Sequence, residues 1–485
     1  MPCLMIQGTT SSAGKTLITA GLCRIFLEDG YTVAPFKAQN MSLNSCVTQR
    51  GEEISRAQAL QALACRIEPD ARMNPVLLKP SNRGSHVIIS GRPHSWMKIA
   101  DYYRFKKKLL PIIKESWNSL TAEFNIVIAE GAGSPAEINL RPNDIVNMHV
   151  ALMAKMPVII AGDIDRGGIF AHFIGTLELL SAAERKLVKG FIINKFRGDR
   201  KLLSSGIAFL EKKTGKKVLG VMPMLDNFLI SEEDSATFRE KPGRPNKNTG
   251  KTVNAAVVCL PHISNFTDFD ALLAENDVNF IRADNPADLK NTDIIIIPGS
   301  RNVISDLHFI HKSGFSDMII KHAAAGKTLI GICGGFQMLG NLICDPYKIE
   351  GGGKVKGLGL LAMETTLEKQ KIIRRTDCYY YKNHLPVSGY EIHHGLTKMR
   401  EKTFFYSKDG SSAGCGKNES LWGTYLHGVF DSGAFRSHVL NRERRKKGLA
   451  PKPGSDTGDE EALCRLSSEM RKYINIREIY RIMGV

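Results

Sequence analysis

Lys327-Thr-Leu-Ile-Gly-Ile-Cys-Gly-Gly-Phe-Gln-Met-Leu339 decides how the second half of this chain is read. Thr328 to Ile332 is a short apolar run, the pattern of a buried strand. The run stops at Cys333, and a helix is expected from Phe336 to Leu342. Gly331, Gly334 and Gly335 crowd around the cysteine, where a sharp strand-to-helix turn leaves little room for Cβ atoms. Such a turn lifts a nucleophile clear of the sheet and aims backbone N–H groups at an oxyanion, as in the Gly-x-Ser-x-Gly elbow. Here the pattern is Gly331-x-Cys333-x-Gly335, and a helix N-terminus behind it favours a thiolate. The competing reading is a buried structural cysteine, since free cysteine is among the most buried residue types.

The neighbouring segments favour the nucleophile. Asn254 to Leu260 reads as a buried strand. Asp293-Ile-Ile-Ile-Ile-Pro-Gly-Ser-Arg-Asn302 reads as another, ending in a Pro-Gly turn. The Gly299–Ser300 backbone is expected to supply one oxyanion donor and the Gly334 N–H the other. A cysteine nucleophile also needs a base, frequently far along the chain. His393 and His394 lie in Gly389-Tyr-Glu-Ile-His-His-Gly395, and His427 in Gly423-Thr-Tyr-Leu-His-Gly-Val-Phe430. His427, at the end of a short strand and before a glycine, is the stronger candidate.

The first half carries a different chemistry. Leu4 to Gln7 reads as a strand, Gly8-Thr-Thr-Ser-Ser-Ala-Gly-Lys-Thr16 as a phosphate loop, and Leu17 to Glu28 as a helix. Backbone N–H groups of Thr9, Thr10, Ser12, Ala13 and Gly14 would hold phosphates at the helix N-terminus. Lys15 would reach the β/γ oxygens and Thr16 would ligate Mg²⁺. The interval between Gly8 and Gly14 is one residue longer than usual and resembles that of dethiobiotin synthetase-like ATPases. Phe124 to Gly133 is an apolar strand ending in Glu130, the place of a second magnesium ligand. Asn194-Lys-Phe-Arg-Gly-Asp199 is similar to a base-recognition loop but has Arg197 within the motif, which favours adenine over guanine. Lys37, Asn40 and Asn44 follow a second strand at the sheet end where ligands gather. Arg56, Asn74, Lys79, Asp163, Asp165 and Arg166 complete the expected substrate contacts. Strands alternating with helices predict a doubly wound parallel sheet over residues 1–230. A linker without hydrophobic period is read at 231–252, a second α/β domain at 253–440 and a basic, helical tail at 441–485.

Composition excludes several classes. The 485 residues are 43% hydrophobic and 24% charged, as in a globular protein. No apolar run approaches the roughly 18 residues of a membrane helix, and no leader is read before the first strand. The ten cysteines include no Cys-x-x-Cys pair, so zinc and a disulfide framework are not expected. A reduced, cytoplasmic protein is expected. The net charge of +17 raises nucleic acid as a partner, but the basic residues are scattered and the denser runs lack interleaved aromatics. Attraction for acidic substrates is an alternative. Nothing in the sequence specifies an oligomeric state.

Taken together, the motifs resemble the cobyric acid synthase family of glutamine-hydrolysing amidases in cobalamin synthesis. Gly8 to Thr16, Phe36-Lys-Ala-Gln-Asn-Met41, Arg56-Ala-Gln58, Met73 to Pro80, Glu130 to Leu140, Asp163 to Gly168 and Asn194 to Asp199 are similar to its synthetase half. Gly331 to Gly335, Gly389 to His393 and Tyr425 to Gly428 are similar to its glutaminase half. The resemblance implies a P-loop ATPase domain joined to a triad-type glutamine amidotransferase domain. It implies amidation of the b, d, e and g carboxylates of adenosylcobyrinic acid a,c-diamide with ATP, Mg²⁺ and glutamine. It also implies Cys333 as nucleophile and His427 as its catalytic partner. Cobalt would arrive within the corrinoid substrate, not bound by the protein; neither nucleic acid nor membrane is expected as a partner. Many triad glutaminases carry an acid two residues after the histidine. Here that residue is Val429, so a Cys-His dyad is expected. The alternatives are the sister a,c-diamide synthase and, in another class, a non-catalytic P-loop switch.

Overall fold

The structure, a computed structural model, describes residues 1–81, 84–225, 252–455 and 459–485. The chain forms two compact units. One comprises Met1–Thr48, Glu52–Asp234 and Asp459–Val485; the other comprises Gln49–Gly51 and Ser235–Gly458.

In the first unit, β1 (Cys3–Gly8), β2 (Val33–Phe36), β3 (Ile126–Glu130), β4 (Val158–Asp163), β5 (Val188–Phe196) and β6 (Lys217–Pro223) make one sheet. Its order is β6-β5-β4-β1-β3-β2, and every pairing is parallel. The strands are apolar runs because both faces of the sheet are covered, one core lying on each side. The helices α1 (Lys15–Glu28) and α2 (Arg56–Ala64) lie on this sheet. Gln39–Met41, Val76–Ser81, Gly84–Ile89 and Arg92–Met97 form a small second sheet.

The second unit begins with β7 (Val253–Val258), β8 (Val278–Ala283), β9 (Ile294–Ile297) and β10 (Thr328–Ile332). Long antiparallel strands β11 (Met363–Tyr380) and β12 (Pro386–Met399) follow, then β13 (Leu421–Thr424). The order β8-β7-β9-β10-β13 is parallel throughout. Antiparallel strands extend the sheet beyond β13. One hydrophobic core serves this unit.

The linker read at 231–252 lies, but for its last residue, outside the described residues. The tail read at 441–485 is not one segment. Its start belongs to helix Gly433–Lys446 in the second unit, whereas Asp459–Val485 belongs to the first. Helix Asp459–Tyr473 buries Leu463, Leu466 and Met470. A Cβ on Gly21 of α1 would stand 2.0 Å from the Met470 sulfur, so the glycine admits this helix. Fully buried Arg24 is held by Glu460 at 2.8 Å.

Most of the basic run Arg442–Lys447 is paired within the second unit, while Arg445 is exposed. Arg444 pairs with Asp277 at 2.8 Å and Glu275 at 3.1 Å, Lys446 with Glu443 at 2.9 Å, and Lys447 with Asp293. Among the described residues no helix is long and apolar enough to cross a membrane.

Candidate functional sites

Cys333 follows β10 with a positive φ, φ 49° and ψ −104°, which a non-glycine residue adopts only under constraint. The constraint is close packing. A Cβ on Gly335 would stand 2.0 Å from the Ile297 carbonyl oxygen, and one on Gly331 2.7 Å from the Gly335 oxygen. The helix after the elbow is shorter than expected and starts earlier, at Gly334–Met338, because Leu342 already opens a new strand. The Cys333 N–H donates to the Thr424 carbonyl at 2.8 Å, which ties the elbow to β13.

His427 follows β13 and is almost fully buried. Its N–H and carbonyl pair with Tyr390 in an isolated bridge, and the two rings stack at 5.3 Å. The Cys333 side chain is one of the groups that act on the imidazole electrostatically. Its Nδ1 lies 2.7 Å from Asp268 Oδ2, and the other Asp268 oxygen accepts the Gly428 N–H at 2.9 Å. Burial alone would lower the imidazole pKa, but the Asp268 carboxylate and Cys333 outweigh it and hold the value up at about 10. The expected dyad is therefore corrected: an acid does support the histidine, and it comes from 159 positions earlier in the chain, not from position 429. Asp268 sits in the short 3₁₀ turn Phe266–Phe269 after β7, between two buried phenylalanines. An acid flanked by core residues in the first loop of an α/β sheet was the available signal.

The expected oxyanion groups meet at the elbow. A Cβ on Gly334 would stand 2.8 Å from the Ser300 nitrogen, and one on Gly299 3.1 Å from His427 Cε1. Buried Asp306 braces that turn, accepting from Ser300 Oγ at 2.6 Å and facing His262 Nδ1 at 2.8 Å. On β12, Ile392 presents its carbonyl 3.7 Å from Cys333 Sγ. His393 is held on a different network: its Nε2 faces Glu391 at 3.2 Å and its ring stacks on Tyr425 at 3.7 Å. His394 Nδ1 lies 2.9 Å from the Glu368 carbonyl. Neither is the partner of Cys333.

In the first unit, Gly14 caps α1 at φ 92°, and a Cβ there would stand 2.0 Å from the Asn194 amide. That amide donates to the Ala13 carbonyl at 2.9 Å, and Lys195 donates to the Ser12 carbonyl at 2.8 Å. Asn194 thus anchors the phosphate loop. Lys15 Nζ donates to the carbonyls of Thr10 and Gly133 at 3.0 and 3.2 Å. The Thr9 N–H is committed to the Ala161 carbonyl at 2.9 Å, so it continues the sheet and is not a phosphate donor. Glu130 is fully buried and gathers three donors: Thr16 Oγ1 at 2.9 Å, Lys37 Nζ at 2.9 Å and Gln61 Nε2 at 2.6 Å. A hydroxyl and a carboxylate oxygen so close together are the donor set of a hard divalent cation with phosphate, and they fit Mg²⁺. Gln61 is a member of this group that the sequence reading missed.

The expected substrate contacts separate into groups. Lys37 and Asn40 line a cavity beside the phosphate loop. Asn40, however, donates to Ser55 and Gln58, at 2.7 and 2.9 Å. Asn74 bridges Ser55, Lys37 and Val76 backbone groups and is buried, so it shapes the loop and is not positioned to meet a ligand. Lys79 is paired with buried Glu53. Asn44 is buried with both side-chain polar atoms lacking a hydrogen bond, and Arg56 donates its N–H to the Asn44 carbonyl at 3.2 Å. Asp163 pairs with Lys195 at 3.0 Å and Arg166 at 3.7 Å, and Asp165 with Arg197 at 3.0 Å. These last residues stand at the ends of β4 and β5.

Comparison with known proteins agrees with this geometry. Residues 4–238 match the CobQ/CobB/MinD/ParA nucleotide binding domain, and residues 254–435 match the CobB/CobQ-like glutamine amidotransferase domain. An adenosylcobalamin biosynthesis bifunctional protein CobDQ of Leptospira interrogans is 45% identical over the whole chain, which spans 57% of that protein's length. Cobyric acid synthases of Clostridium acetobutylicum and Carboxydothermus hydrogenoformans are 42% and 43% identical, each over 99% of both chains. The chain belongs to the cobyric acid synthase family, amide-forming enzymes of cobalamin biosynthesis that join a nucleotide-binding domain to a glutamine amidotransferase domain.

Proposed function

We propose that the protein uses ATP and glutamine to amidate the b, d, e and g carboxylates of adenosylcobyrinic acid a,c-diamide, giving adenosylcobyric acid. The observation that supports this reading most is the Cys333–His427–Asp268 line in one unit of a chain whose other unit carries the phosphate loop and Glu130.

Cys333 Sγ attacks the glutamine carboxamide carbon, and the Ser300 and Gly334 backbone N–H groups receive the oxyanion. His427, held in orientation by Asp268, gives its proton to the nitrogen as the C–N bond breaks. Ammonia leaves and a glutamyl thioester remains. His427 then takes a proton from water, which attacks the thioester and releases glutamate and the thiol.

In the other half a corrinoid carboxylate oxygen attacks the γ-phosphorus of ATP, the bond from that phosphorus to the β,γ-bridging oxygen breaks, and ADP leaves an acyl phosphate behind; Lys15 and the loop N–H groups from Thr10 onward grip the phosphates. Thr16 and Glu130 would hold Mg²⁺, which supplies charge neutralisation on the phosphates when bound. Ammonia attacks the acyl phosphate, phosphate departs and the amide forms. The protein supplies no cobalt site in this reading, and the substrate partner is a small corrinoid. A cytoplasmic location goes with it.

Incubation with adenosylcobyrinic acid a,c-diamide, ATP, Mg²⁺ and glutamine, followed by mass measurement of the corrinoid, tests the reading. Stepwise replacement of b, d, e and g carboxyls by amides is expected. No amide gained on this substrate, with cobyrinic acid in a parallel incubation amidated at its a and c positions, would assign the chain to the sister reaction.

A further inference from the structure

A cavity of about 580 Å³ lies beside the phosphate loop in the first unit, and Lys15, Lys37, Lys106 and Arg141 are among the groups that line it. Three of these cations are engaged. Lys15 donates to two carbonyls, Lys37 is paired with Glu130, and Arg141 with Glu184. Lys106 differs. Its ammonium stands 5.8 Å from the centre of the Tyr103 ring, a weak contact, and among the described residues it has no carboxylate within ion-pair distance. Asp144 faces it electrostatically, but the Asp144 oxygens accept the N–H groups of Val146, Asn147 and His149, each at 2.9 Å. The lysine is half-buried, and desolvation pushes its pKa down. A half-buried ammonium whose neighbouring carboxylate, Asp144, is oriented by backbone N–H groups can take a second anion, in a cavity that already holds the phosphate-loop lysine.

The same cavity has an apolar side. Met41, Leu140 and Leu152 line it and yet are 52%, 39% and 42% exposed. Exposed apolar side chains gathered at one cavity, next to cations, match a ligand that is itself divided: an apolar body carrying acidic arms.

We propose that Lys106 receives a carboxylate arm of the acid substrate while Met41, Leu140 and Leu152 carry its apolar body, which makes this cavity the acceptor-substrate subsite. The inference rests on the corrinoid reading above, since a ring bearing several carboxylate arms is such a ligand. Lys106 would hold the carboxylate near Lys15, where the γ-phosphorus is presented.

Equilibrium dialysis of the full-length protein with adenosylcobyrinic acid a,c-diamide, read by corrinoid absorbance, tests this, with ADP affinity measured alongside. Lys106→Ala is expected to weaken corrinoid binding about 10- to 100-fold, the size of a lost charge-assisted contact, with ADP affinity changed by less than about twofold. Lys106→Arg should restore most of the affinity, and Met41→Asp should weaken corrinoid binding while sparing ADP. Corrinoid affinity unchanged in Lys106→Ala overturns the subsite and leaves the corrinoid reading standing. A loss of ADP affinity instead assigns Lys106 to the nucleotide and likewise overturns it. Failure of the wild-type protein to bind the corrinoid overturns both.

Discussion

Two buried carboxylates, one in each unit, are held in opposite ways. Glu130 takes its hydrogen bonds from three side chains, Thr16, Lys37 and Gln61, which come from α1, the end of β2 and α2. Asp268 takes one from the His427 imidazole and one from the Gly428 backbone. Side chains can rotate away and let a carboxylate share its oxygens with an arriving cation. A backbone N–H cannot, so Asp268 stays aimed at one imidazole. The phosphate site is thus built to exchange partners, and the cysteine site to keep one proton in one place.

The largest expected effect breaks the fixed member. Asp268→Asn should lower kcat for glutamine hydrolysis by up to about 10⁴-fold, because the amide favours the wrong imidazole tautomer. It should also move the alkaline limb of kcat/KM downward from the region of about 10 where the wild-type imidazolium loses its proton. The same shift appears in stability. The His427 value in the folded protein lies above its ordinary 6.5, so its stabilisation is complete below about 6.5 and is lost as pH rises to about 10. A series of melting temperatures for wild type and Asp268→Asn should therefore converge toward high pH.

Glu130→Gln comes next, with amide formation expected to fall about 10²- to 10³-fold whichever nitrogen source is used, as for loss of one electrostatic stabiliser. Glutamine hydrolysis measured without ATP would show whether the change stays on its own side. Gln61→Ala should be mildest, about tenfold in the KM for MgATP, because Glu130 keeps two other donors. An effect as large as that of Glu130→Gln would mean that Gln61 touches substrate.

How far the sequence revealed these sites follows from how local each pattern is. The phosphate loop, Glu130 and the Cys333 elbow are each written within about ten residues, as a strand, a tight turn and a helix or polar tip. His427 was reachable because its strand end and glycine repeat that logic. Asp268 was harder to reach, since its role depends on a pairing across the fold and only the flanking phenylalanines set its segment, Asn265-Phe-Thr-Asp-Phe269, apart from an ordinary turn. Lys79 and Asn74 show the reverse error. Polar residues in a proline-bounded segment read as ligand contacts, yet Glu53 and the surrounding backbone occupy them. The basic tail shows only its positive charges locally, for its counter-charges at Glu275, Asp277 and Asp293 are far away in sequence.

The division of labour is tested most directly by assaying Cys333→Ser for corrinoid amide formation with glutamine and, separately, with ammonium chloride. The account requires loss of the glutamine-dependent reaction with the ammonium-dependent reaction preserved. Loss of both, or survival of both, would contradict it.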